Sequence, residues 1–121
     1  MPPLEHLARR WLTAFNARDL DGLLALYHPD AVHVSPKLRD REPATNGEIR
    51  GVEALRRWWS GAMERLPNLR YEPLHITCGE AADGRVFMEY LRTTPGEADL
   101  VVAEVLVVEG GRIVRSLVFH G

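Results

Sequence analysis

Midway along this 121-residue chain the apolar residues change their spacing, and that change constrains the fold more than any other feature. Up to Pro67 they recur at three- and four-residue intervals, as on helices that bury one face; beyond it they alternate, as strands do. Helices followed by strands, with no β-α-β alternation, predict an α+β fold: a curved antiparallel sheet with three helices from the N-terminal half covering one of its faces. A chain of this length is expected to form one domain over residues 1–121.

Leu4, Leu7, Ala8, Trp11, Leu12 and Phe15 predict a helix over 3–18, with Pro2 and Pro3 at its start. Asp19 can cap a second, short helix carrying Leu20, Leu23, Leu24 and Tyr27, which His28-Pro29-Asp30 stops. Val52, Leu55, Trp59, Ala62, Met63 and Leu66 form the stripe of a third, between Gly51 and Pro67. A short strand over 31–35 precedes it, and four longer ones are predicted near 69–79, 85–94, 98–109 and 112–120, with hairpin turns at Asp83-Gly84 and Gly110-Gly111. Residues 36–50, with Lys37, Arg39, Arg41, Arg50 and two prolines, read as an exposed loop long enough to close as a lid.

Charge and composition remove several function classes. Arginines are scattered and matched by acids, with a formal net charge of −2, so the basic footprint of a nucleic-acid binder is missing. Cys78 stands alone, which excludes an internal disulfide and any thiolate cluster and fits a reducing cytoplasm. His28, His75 and His120 lack the short spacings of a metal triad, and no glycine-rich phosphate loop or nucleophile elbow occurs, so no metal or cofactor is expected. Neither a leader sequence nor a membrane-spanning apolar run is legible, and a soluble, cytoplasmic protein is expected.

The run from Leu100 to Val108 is apolar on both strand faces, which predicts one face over an internal pocket and the other against a second copy of the sheet, in a homodimer. Glu104 interrupts that run. An ionised carboxylate is costly to bury, so Glu104 must be paired, for instance with Arg92 or Arg115, or else be protonated or within reach of a ligand. On the strand before it, either Glu89 turns inward with Phe87 and Leu91, or Met88 and Tyr90 do and leave Glu89 at the rim beside an arginine. The pattern leans to the second; Glu89 and Leu91 stay among the candidate pocket residues for the first. His33 and Ser35 share one face of the first strand, either lining a pocket or facing water, and the pattern alone leans to water.

The phrase from Trp11 to Leu23, followed by Tyr27-His28-Pro29-Asp30-Ala31-Val32, resembles the SnoaL-like and ketosteroid-isomerase-like branch of the nuclear-transport-factor-type cone fold. Ile49-Arg50-Gly51-Val52-Glu53-Ala54-Leu55 and the closing Gly111-Arg112-Ile113-Val114 extend the resemblance over nearly the whole chain. It implies a cone whose interior is the site, in a group that includes isomerases, polyketide cyclases, epoxide hydrolases, dehydratases and non-catalytic binders. Against the steroid isomerases, Trp11 falls where their pocket tyrosine sits and Ser35 where their general-base aspartate sits, which argues against that reaction. Glu104 falls close to their pocket carboxylic acid. Glu89 falls near an aspartate of the limonene-epoxide-hydrolase-like members, yet Phe87 replaces their arginine and Val118 their second aspartate. Ser116, Val118 and His120 would share the inward face of the last strand.

Three readings follow. In the first, Glu104, with His33 or His120, moves a proton on an apolar organic substrate held by Trp11, Phe15, Trp59 and the sheet, with Ser35, Met63, Glu89, Leu91, Leu106, Ser116 and Val118 lining the pocket. In the second the same pocket only binds. In the third the protein is a dimeric interaction module whose cavity is filled by its own side chains.

Overall fold

The stripe on the first helix decides what it buries. α1 (Pro3–Asn16) begins on Pro3, whose missing N–H is no loss in a first turn, and buries Leu4, Leu7, Ala8, Trp11, Leu12 and Phe15 against the sheet. α2 (Leu20–Leu24) starts on Asp19, whose carboxylate accepts from the Gly22 N–H at 2.9 Å. It ends sooner than predicted, because Tyr27 opens β1 (Tyr27–Val34) instead of closing the helix. Pro29 lies where β1 shifts register between Tyr27 and Val32, a place that tolerates a ring without an N–H. The computed structural model describes residues 1–120.

The predicted loop over 36–50 is structured. It contains a fourth helix, α3 (Pro36–Arg41), a 3-10 turn (Pro43–Thr45) and the short β2 (Glu48–Arg50). Its polar composition hid one anchor: Leu38 is wholly buried. α4 (Val52–Arg65) follows, burying Leu55 and Trp59.

Four long strands complete the chain: β3 (Arg70–Cys78), β4 (Gly84–Thr93), β5 (Leu100–Glu109) and β6 (Arg112–His120). They form the predicted antiparallel meander. Gly110 and Gly111, at φ +60° and +76°, supply the turn between β5 and β6, and the Asp83 carboxylate accepts from both of their N–H groups at 3.0 and 3.2 Å. The other turn differs from expectation, since five residues, 79–83, connect β3 to β4.

The six strands lie in the order β2-β1-β6-β5-β4-β3, and β1 joins β6 in parallel, so the curved sheet is mixed rather than antiparallel throughout. Residue spacing reveals a strand but not its direction, and a parallel neighbour needs a long crossover. Here α4 and the whole meander intervene. α1 covers β3 and β4 while α4 covers β1 and β2. Inward on the sheet point Val86, Met88 and Tyr90 of β4, Val102, Glu104 and Leu106 of β5, and Ile113 and Ser116 of β6.

Gly47 holds the α3 segment closed. It adopts φ +81°, accepts from the Ser35 N–H at 2.9 Å, and an added Cβ would lie 3.1 Å from the Ser35 carbonyl oxygen and 3.2 Å from the Arg39 Cβ. Gly47→Ala should therefore destabilise the protein by about 1–2 kcal/mol, seen as a lower urea midpoint at constant m-value; an unchanged midpoint would contradict this packing.

Candidate functional site

A cavity of about 390 Å³ lies between the inner sheet face and helices α1, α3 and α4, within the range of roughly 300–1,000 Å³ usual for small-ligand sites. It opens where β4 ends, β5 begins and β6 ends. One wall is aromatic: Tyr90 lies on Tyr71 with ring centroids 4.2 Å apart, Tyr71 on Phe15 at 4.1 Å, and Phe15 on Trp11 at 5.6 Å. Trp59 and Trp58 of α4 face it. Because these rings spend their faces on one another, they hold each other in place and offer mainly their edges to the cavity.

Glu104 stands in this cavity only 2% exposed. The Tyr90 hydroxyl donates to its Oε1 at 2.8 Å, and its Oε2 is buried with no hydrogen-bond partner among the described residues. Neither arginine considered above pairs with it: Arg92 binds Glu97 at 2.9 Å, and Arg115 points outward to Glu48 at 4.0 Å. Burial raises the Glu104 pKa to about 8, against the smaller opposing pull of the Tyr90 hydrogen bond. At neutral pH the carboxyl is therefore protonated, and because Oε1 already accepts from Tyr90, the proton belongs on the orphan Oε2. A buried donor without an acceptor is costly, and a ligand oxygen would relieve it.

A second polar group is built by a chain of hydrogen bonds. The Trp11 indole N–H donates to the Tyr27 hydroxyl at 2.9 Å, Tyr27 donates to Ser116 Oγ at 3.4 Å, and Ser116 Oγ lies 2.6 Å from His33 Nδ1. Since an indole can only donate, giving every proton an acceptor sets one direction: Trp11 to Tyr27 to Ser116 to His33. His33 Nδ1 then accepts, and its proton sits on Nε2. Burial depresses the His33 pKa to about 4, so the ring is neutral, and Trp59 packs against it with centroids 5.1 Å apart. His33 is thus configured as a donor and not as a base. The Trp11 N–H, being spent on Tyr27, is closed to a ligand.

The structure turns His33 and Ser35 inward, 3% and 5% exposed, rather than to water, because the parallel pairing sets His33 opposite Ser116. It brings Trp11, Phe15, His33, Ser35, Trp59, Glu104, Val118 and His120 to the cavity. Five candidates lie elsewhere. Glu89 and Leu91 face outward, since Met88 and Tyr90 take the inner face, and no arginine pairs with Glu89 among the described residues. Leu106 belongs to the sealed core, and Met63 packs against that core beside the cavity. Ser116 lies behind the cavity wall, hydrogen-bonded to His33 and Tyr27. Pattern reading leaned to the Met88/Tyr90 alternative but gave no pocket role to Tyr71, Tyr90 or Arg92, which all share the face that alternative turns inward. His28 and His75 are not brought to His120, and no metal-binding group of three residues forms among those described.

The SnoaL-like domain model matches this chain over residues 8–116, a stretch that carries the cavity walls except Val118 and His120. The chain belongs to the SnoaL-like family. Among solved structures, this SnoaL-like domain is similar to a SnoaL-like protein of unknown function from Burkholderia thailandensis, with TM-score 0.85 and 25% identity over 98% of this chain and 95% of that one. It is also similar in fold to a candidate polyketide cyclase from Sinorhizobium meliloti, with TM-score 0.77 and 22% identity over 94% of each chain. A candidate ketosteroid isomerase from Kribbella flavida follows the same fold, with TM-score 0.78 and 19% identity over 98% of this chain and 78% of that one. No curated protein matches.

The two buried groups give the SnoaL-like domain a pH signature. Glu104 holds its proton more tightly folded than unfolded, so its effect on stability is lost as pH rises from about 4.5 to about 8. His33 binds its proton less tightly when folded, so its effect is a gain between about 4 and 6.5. The two oppose each other at lower pH, and Glu104 acts alone above pH ~6.5. The melting temperature should fall between pH 6.5 and 8, and Glu104→Gln should flatten that fall; an equal slope in both proteins would show that Glu104 is ionised throughout.

Proposed function

We propose that this domain is an enzyme that moves a proton on an apolar organic substrate, with neutral Glu104 donating to a substrate oxygen. The observation carrying this reading is the protonated, orphaned Glu104 Oε2 inside an aromatic cavity. A substrate carbonyl would accept from Glu104 Oε2–H and His33 Nε2–H. When a base removes a proton from the adjacent carbon, the electron pair moves to that oxygen and both donors stabilise the charge. His120 is the proposed base: it lies on the inner face of β6, on a strand adjacent to Glu104, and burial first, then Lys37 and Arg92, keep it less basic than usual and so neutral. Returning the proton elsewhere gives an isomerase, while attack of the enolate carbon or loss of water gives a cyclase or dehydratase. The Sinorhizobium and Kribbella proteins bear names of this kind.

One observation favours a binder instead. Ser35 lines the cavity, and the acids other than Glu104 that reach it, Asp40 and Glu97, are exposed ones. The measurement that separates the readings is proton–deuterium exchange at the carbon beside the carbonyl of an aryl ketone that binds. Exchange catalysed by the wild type should fall about a hundredfold or more in Glu104→Gln. Tight binding without exchange would leave the binder.

The proposed assembly is a homodimer through the outer sheet face, where Phe87, Val101 and Phe119 are 50%, 46% and 55% exposed with Val105 and Leu117 between them. The proposed setting is the cytoplasm, where lone Cys78 stays reduced; among the described residues no helix is long and apolar enough to cross a membrane. Light scattering should give a dimer mass that Phe119→Glu converts to a monomer, and a monomeric wild type would refute the interface.

A further inference from the structure

The floor and the mouth of the cavity differ in charge. Along the inner face of β4, Met88, Tyr90 and Arg92 run from floor to rim, and Met88 pairs with Glu104. Arg92 thus stands four residues beyond the level of Glu104, roughly 13 Å along the strand. Around it the mouth carries Lys37, Arg41 and Arg65 against Asp40 and Glu97, which with Arg92 itself makes two positive charges in excess on a chain whose net charge is −2. The floor holds no balancing charge, because Glu104 keeps its proton.

Arg92 is the unusual member. It is 7% exposed, and its one side-chain partner among the described residues is Glu97 Oε1 at 2.9 Å, which engages a single nitrogen of the guanidinium fork. Glu97 itself is 43% exposed by its side chain and sits in the turn between β4 and β5, beside Pro95 and Gly96. A buried arginine held by one arm, with the rest of its fork lining a cavity, matches a planar carboxylate better than a neutral group. Arg65, which lies over the Trp58 ring at 5.8 Å, is depressed in pKa by loss of solvation and then by Arg41, so an anion between those two would relieve a repulsion.

The geometry points to a substrate that is an aromatic carboxylic acid, its ring face against the ring edges of the Tyr90–Tyr71–Phe15 stack and its carboxylate on Arg92, in the place that Glu97 otherwise takes. This inference rests on the pocket reading and adds the charge of the ligand. A carboxylate fits better than a phosphate, because α4 lines the mouth with its C-terminal half, whose backbone dipole repels a concentrated anion.

The test is calorimetric titration with benzoate, 2-naphthoate and anthracene-2-carboxylate, each against its own primary amide, on the full chain. At least one acid should bind about tenfold or more tightly than its amide, as loss of a charged hydrogen bond requires. Arg92→Gln should bring that ratio to within about twofold, Arg92→Lys should restore part of it, and Glu97→Gln should raise affinity for the acid while leaving the amide unchanged. An amide that binds as well as its acid overturns the carboxylate proposal and leaves the pocket reading intact. Failure of every pair to bind overturns both. Should Arg92→Gln not fold, an unchanged acid-to-amide ratio in Glu97→Gln and Lys37→Gln refutes the proposal by itself.

Discussion

The structure turns on the burial of one carboxyl group. Glu104 occupies the middle of the most apolar strand, where a leucine or valine would seal the core, and everything near it is arranged around a neutral acid. Tyr90 satisfies one oxygen, no arginine among the described residues pairs with it, and the phenols of Tyr27, Tyr71 and Tyr90 are held above their ordinary pKa by burial and then by Glu104 itself. Were an arginine to reach this carboxyl, the cavity would hold a salt bridge and lose its donor. Keeping the cations at the mouth preserves the proton at the floor.

Much of the fold was legible because apolar spacing reports burial directly: Leu4 to Phe15, Val52 to Leu66 and the meander beyond Pro67 all lie where periodicity put them. The parts that escaped are those decided by distant contacts. β1 shows its strand character locally, but its parallel docking on β6 depends on residues some 83 positions away, and that docking decides which way His33 faces. α3 escaped because a single leucine, Leu38, anchors an otherwise polar segment.

The site was legible in its central residue and less so in its surroundings. A lone acid in an apolar run marks Glu104 without any structure. Its hydroxyl partner Tyr90, the stacked Tyr71 and the buried Arg92 depend on which face of β4 turns inward, and alternation leaves that choice open when both faces carry large residues. The Trp11–Tyr27–Ser116–His33 chain could not be read at all, because it joins three elements, α1, β1 and β6, and the spacing places Tyr27 on a helix.

The parallel seam between β1 and β6 also bears on how the chain is made. A ribosome releases β1 well before β6, so the nascent protein must keep Tyr27–Val34 unpaired on that side until three further long strands and then β6 have emerged. His33 and Ser116 come together at the same late moment. The cavity therefore waits on β6: no nascent fragment lacking that strand can present a finished binding site, and loss of β6 would erase the pocket while leaving most of the meander able to form.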